Sequence, residues 1–159
     1  MTARRVITGV VLGSLVALTA ASCSTGQTAK KDPAETVAYR QRVMKLQGAL
    51  WKDIQDKQKA GNIEGIAVDA EALALSAERI PALFPEGSMT DKSKAKPEVW
   101  QKWPEFEAAA KNLEAQSMKL KAAADTKNAD ATGAIIKDFG RNACGTCHTP
   151  FRVPPPKQG

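Results

Sequence analysis

One pentapeptide near the C-terminus does most to limit what this chain can fold into: Cys144-Gly145-Thr146-Cys147-His148. On a helix, Cys144 and Cys147 lie three apart and Cys144 and His148 four apart, so the three side chains leave one face together. Two thiols so placed can add to the two vinyl groups of one porphyrin while the imidazole rises beneath the ring to ligate its iron. That is the attachment chemistry of a c-type haem. A closed zinc site needs four ligands, and outside the pentapeptide the chain offers only Cys23 and no second histidine. A thioredoxin-like redox pair would sit in a strand-helix-strand context, whereas the periodicity here is helical throughout. A plain disulfide gives the adjacent, solitary histidine no reason to be there.

The apolar spacing predicts four helices leading into that motif. Asp32-Pro33-Ala34-Glu35 combines an N-cap, a proline at the first helical position and an acid in the first turn. From it a stripe of Val37, Arg40 or Gln41, Met44, Gly48, Trp51 and Ile54 or Gln55 runs towards Gly61-Asn62. Asn62 caps a second helix whose apolar face reads Ile63, Ile66, Val68, Leu73, Leu75 and Ile80, ending at Pro81. The stretch from Pro81 to Lys96, with Phe84-Pro85 and Gly87-Ser88, is long enough for a crossover rather than a tight hairpin.

Pro97-Glu98-Val99-Trp100 opens a short turn, and Pro104 disfavours a helical Trp103, so the third helix is expected from about Pro104 to Ala124. Phe106, Leu113 and Met118 or Leu120 mark its buried side, with Trp100 and Trp103 expected to pack the core and the haem pocket. A capping cluster at Lys127 to Asp130 starts the fourth helix, whose stripe of Ile136, Phe139, Ala143 and Cys147 carries the motif inward. Pro150 is expected to end or kink that helix. The expected architecture is all-α, an antiparallel four-helix bundle over residues 32–153 with a covalently attached haem held between facing helices. Residues 154–159 form an extended, proline-rich tail.

At 159 residues the chain fits a single domain, with few aromatics and abundant alanine and lysine. Met1 to Ser22, with Arg4-Arg5 before an apolar run from Val6 to Ala20, has the charged and hydrophobic parts of a secretory signal. Two fates for Cys23 stay open. Ala20-Ala21-Ser22-Cys23 is similar to a bacterial lipobox, which would lipidate Cys23 and tether the protein to a membrane through polar residues 23–31; ordinary cleavage after a small residue is the other. The expected location is the periplasm. The formal charge is +6, falling to 21 basic against 17 acidic residues once Arg4 and Arg5 are removed. No block of lysine and arginine points to nucleic acid, and the excess reads as a solvated surface.

A haem-attachment motif at the C-terminal end of four helices resembles the cytochrome c prime family, a class in which the motif lies late rather than near the N-terminus. The resemblance extends to Tyr39-Arg40-Gln41 with Met44, then Leu83-Phe84-Pro85, Pro97-Glu98-Val99-Trp100 with Phe106, and the motif followed by Phe151-Arg152. Together these span nearly the whole chain after residue 31; Pro150, between the histidine and the aromatic-arginine pair, departs from the pattern.

The resemblance implies one heme c on Cys144 and Cys147, with His148 as axial ligand, Arg40 near a propionate and Arg152 on the proximal side. It implies too that Met44 faces the distal side of the ring. In low-spin members a methionine there ligates the iron; in high-spin members a bulky apolar side chain blocks the sixth position, and the five-coordinate iron takes nitric oxide or carbon monoxide. The leading expectation is a one-electron carrier with His148 and Met44 as axial ligands and an unidentified redox partner protein. The alternative is the high-spin, gas-binding form. The family often pairs bundles through the first two helices, so the resemblance leaves a homodimer open, on which the residues themselves are silent. No remaining constellation sets a nucleophile beside a base, and an enzymatic role is not expected.

Overall fold

The computed structural model describes residues 32–156. The expected signal segment 1–22, the polar tether with Cys23, and residues 157–159 of the tail lie outside the described residues. Six α-helices follow in order: α1 (Pro33–Lys59), α2 (Ile63–Glu78), α3 (Glu98–Gln101), α4 (Trp103–Asp125), α5 (Ala129–Phe139) and α6 (Gly145–Phe151). A 3-10 turn at Pro81–Leu83 precedes the crossover, and a π-helical turn at Gly140–Cys144 joins α5 to α6. The long path from α5 through α6 is the fourth member of an antiparallel bundle with α1, α2 and α4.

The termini of these helices follow from local chemistry. The Asp32 carboxylate accepts from Ala34 N at 2.9 Å, with Pro33 behind it as a residue that needs no donor. Gly61, at φ 72°, closes α1 in the left-handed conformation that a side chain resists. Asn62 then accepts from Gly65 N at 3.0 Å, and Asn128 accepts from Ala131 N at 2.9 Å to start α5.

The core lies chiefly between α2 and α4, where Ile66, Leu73, Phe106, Leu120 and Ala124 are sealed from solvent. Small residues on α2, Ala67, Ala70, Ala74 and Ala77, are buried and let α4 approach closely. Lys57 clips α1 to α2 through Asp69 at 2.6 Å while also pairing with Asp53 at 2.8 Å.

Several expectations require correction. Val68 and Leu75, assigned to the buried face of the second helix, are 68% and 61% exposed, because the alanines between them occupy the inward side. On α4, Leu120 is buried and Met118 is exposed. The break before α4 falls at Lys102, with φ −124° and ψ 48°, one residue earlier than proline geometry suggested. Trp103 and Pro104 form the first turn of α4. The fourth helix is not one continuous α-helix, since Gly145 N donates to Gly140 O across a five-residue π turn. Pro150 is accommodated inside the last turn of α6, which ends one residue later at Phe151.

Candidate haem site

The six residues singled out near the expected haem, Arg40, Met44, Cys144, Cys147, His148 and Arg152, all line one cavity of about 560 Å³. One wall is α1, which contributes Arg40, Met44, Gly48 and Trp51 at intervals of three or four, so a single helical stripe faces inward. Ala143 and Cys144 of the π turn and Cys147, His148 and Phe151 of α6 also line the cavity, together with the apolar Leu73, Ile80, Val99, Phe106 and Leu113. Phe106 sits at the hub of an aromatic cluster, 4.8 Å from Phe84, 5.5 Å from Trp103 and 5.4 Å from Phe151 between ring centroids. Trp51 stacks on Phe139 at 4.9 Å. The expectation that Trp100 and Trp103 pack the pocket is corrected: neither lines the cavity, and Trp51 does.

The π turn and α6 set the motif against the cavity. Asn112 of α4 donates through Nδ2 to Asn142 O at 2.6 Å and to Thr146 Oγ1 at 3.2 Å, and Thr146 in turn donates to Ala143 O at 2.8 Å. These bonds anchor the widened turn that carries Cys144 and the start of α6, which carries Cys147. Before haem attachment the Cys144 and Cys147 thiols are half-buried, and burial pushes both up, Cys147 to about 11. His148 is an exposed residue of the cavity lining, and its neighbours partly desolvate the imidazole. That partial desolvation, with Arg152 beside it, holds the imidazole below its ordinary value and so in the neutral form that metals require.

Arg40 is 4% exposed and has no carboxylate partner among the described residues. Its guanidinium donates to Ser88 Oγ at 3.0 Å and Ser93 Oγ at 2.6 Å and lies over the Phe84 ring at 4.7 Å. Burial lowers its pKa. A buried cation held only by two hydroxyls and the faces of Phe84 and Trp100 calls for an anion. A haem, apolar over most of its surface and carrying two carboxylates, therefore fits this cavity, with the thiols, the imidazole and the guanidinium all in its lining.

Ser88 and Ser93 were not legible as Arg40 partners, since they stand 48 and 53 residues away in a segment without periodicity. Arg40→Met keeps the side-chain length but removes the donors, and leaves the Ser88 hydroxyl, 3% exposed, without its partner. We expect a loss of about 1–3 kcal/mol in urea unfolding of the holoprotein. A change under about 0.5 kcal/mol would mean that the serines find other partners.

The sequence pattern of the family described as Cytochrome C' matches residues 35–152. Cytochrome c' of Rhodospirillum rubrum is 32% identical over 142 residues, covering 87% of this chain and 96% of that protein. A solved cytochrome c' whose dimer dissociates under ligand control has a TM-score of 0.71 at 25% identity, covering 79% of this chain and all of the other. A variant of cytochrome c prime from Alcaligenes xylosoxidans, solved as its nitric oxide complex, has a TM-score of 0.68 at 25% identity, covering 77% and 98%. With the motif, the bundle and the cavity in agreement with these matches, the chain belongs to the cytochrome c' family, whose proteins carry a covalently bound c-type haem.

Proposed function

We propose that this protein is a periplasmic monohaem cytochrome whose haem keeps one axial face without a protein ligand and binds nitric oxide or a similar diatomic gas there. Cys144 and Cys147 hold the ring by thioethers, His148 is the axial ligand, Arg40 pairs with a propionate and Arg152 lies on the proximal side. When bound, the haem supplies an iron that takes up one electron and a small ligand.

One observation carries the reading. The α1 wall of the cavity presents Met44, Gly48 and Trp51, with no imidazole, thiol or carboxylate among the described residues. His148 is the only histidine in the chain, so one strong nitrogen ligand is available and the other face is closed by an apolar, adaptable thioether. The nitric oxide complex of the Alcaligenes relative supports the same reading. Met44 also favours a second one, the His148 and Met44 electron carrier, because its sulfur stands on the cavity wall.

Electron paramagnetic resonance of the ferric holoprotein separates the two. We expect a high-spin signal that Met44→Ala leaves high-spin, with gas association to the ferrous form at least about tenfold faster in the variant, as removal of some 1.4 kcal/mol of steric barrier would give. A low-spin signal turning high-spin in the variant would overturn gas binding and establish the carrier.

A homodimer accompanies this reading. Tyr39 and Leu46 on α1 and Val68 and Leu75 on α2 expose apolar side chains that a second bundle would cover.

A further inference from the structure

We propose that the mouth of the cavity is a docking face for the acidic surface of a small electron-donor protein, with Lys45 of α1, Lys94 of the crossover and Arg152 after α6 as its cationic rim and Lys92, which does not line the cavity, beside Lys94 in sequence. The proposal rests on the haem reading above, since the face is useful only if a redox group lies behind it.

Charge is segregated around this cavity. Its walls include Arg40, Lys45, Lys94 and Arg152 but no aspartate or glutamate, in a chain that carries 17 acidic residues. Elsewhere on the bundle some cations pair with nearby acids, as in Lys57 with Asp53 and Asp69, Lys121 with Asp125, and Arg141 with Asp138, while others such as Lys111, Lys119 and Lys137 stand alone among the described residues. Among the described residues Lys45, Lys92, Lys94 and Arg152 enter no ion pair, and all four are exposed. Asp91 and Glu98 flank the crossover segment in sequence, and neither lines the cavity. The excess charge read from the sequence as an ordinary solvated surface is therefore concentrated in part at one opening.

The rim is held in place by backbone. Gln41 Nε2 donates to Lys92 O at 3.0 Å, tying the crossover to α1. On its other side Val153 N donates to Lys94 O at 2.8 Å and Lys96 N to Phe151 O at 2.9 Å, around an antiparallel bridge between Ala95 and Arg152. Lys96 adds a bond from Nζ to Thr149 O at 3.3 Å. Three segments distant in sequence thus present like charges around one opening, against their mutual repulsion. Arg40 takes no part, because it is buried and directed to Ser88 and Ser93.

The four cationic side chains of the lining outnumber the two carboxylates that a haem would bring, and a cleft with a net positive charge and apolar walls raises encounter rates with the opposite charge. An acidic protein steered here arrives at the opening of the cavity that the motif lines. A nucleic acid or an anionic membrane would meet the same charges, but would cover the mouth without delivering an electron. The transfer itself moves one electron from the donor to the ferric iron, leaving ferrous iron and the oxidised donor, with no bond made or broken.

The test is stopped-flow reduction of the ferric holoprotein by reduced plant-type ferredoxin, an acidic one-electron donor, at several salt concentrations. The rim variant is Lys45→Glu with Lys92→Glu and Lys94→Glu. A control of equal charge change is Lys111→Glu with Lys119→Glu and Lys137→Glu, exposed on α4 and α5 and free of ion pairs among the described residues. We expect the second-order rate at low salt to fall at least about tenfold in the rim variant, with most of the salt dependence lost, and less than about threefold in the control.

Equal losses in both variants would overturn the proposal in favour of net charge alone. So would an unchanged rate in a rim variant that has lost binding to phosphatidylglycerol vesicles, which would make the face a membrane contact. Covalent haem content and reduction by dithionite are measured on every sample: if the unmutated protein lacks either, the haem reading fails and the docking face falls with it.

Discussion

A double variant, Cys144→Ala with Cys147→Ala, is expected to lose all covalent haem and, once any residual haem is removed, most of its fixed tertiary structure. The first effect follows from the chemistry, because no other cysteine lies on the cavity wall. The second follows from packing. At about 24 cal/mol per Å³, an unfilled cavity of about 560 Å³ would cost up to about 13 kcal/mol. Water entering the mouth lowers that figure. It still rivals the whole stability of an ordinary domain, about 5–15 kcal/mol.

The haem-free chain should therefore keep its helices but lose its near-ultraviolet circular dichroism and bind a hydrophobic dye. Denaturing electrophoresis with a haem stain reads the attachment, and circular dichroism in both regions reads the packing. A haem band in the double variant would sink the attachment assignment. A sharp thermal transition in the haem-free chain would show instead that the bundle stands without its cofactor.

Phe106→Ala is the second large effect, expected at about 3–5 kcal/mol. Phe106 is 1% exposed, meets three other aromatic rings and lines the cavity. Its removal takes away the edge-to-face contacts with Phe84 and Phe151 together with a large buried area. It also loosens the crossover, because Phe84 packs on the Arg40 guanidinium and accepts from Trp100 Nε1 at 3.0 Å. A stability loss of this size should lower the thermal midpoint of the holoprotein by about 10–20 °C. A fall of under about 3 °C would mean that the haem, and not this cluster, fixes the site.

Much of the site was legible because its chemistry is local. Cys144, Cys147 and His148 announce themselves within five residues, and Asp32, Asn62 and Asn128 act on amides two or three positions away. Arg40, Met44 and Trp51 share the α1 stripe with Val37 and Ile54, so periodicity was enough to place them on one wall.

The rest depends on what faces each residue across the bundle. Val68 and Leu75 look like core by hydrophobicity, yet the close approach of α4 selects the alanines of α2 for the inward side and leaves these two outside. Lys102, not Trp103, takes the break before α4, and the π turn at Gly140–Cys144 has no composition that marks it. Lys94 of the rim and the serines that hold Arg40 lie on a crossover whose path is fixed by bonds to α1 and α6.

Local hydrogen bonding, capping and helical period act over a few residues, so the sequence by itself determined the capped starts of α1, α2 and α5 and the attachment motif. Contacts between segments some 50 to 100 positions apart depend on how the helices pack. Only the tertiary structure could decide that a buried guanidinium, a thioether and the cations Lys45, Lys94 and Arg152 line the same cavity.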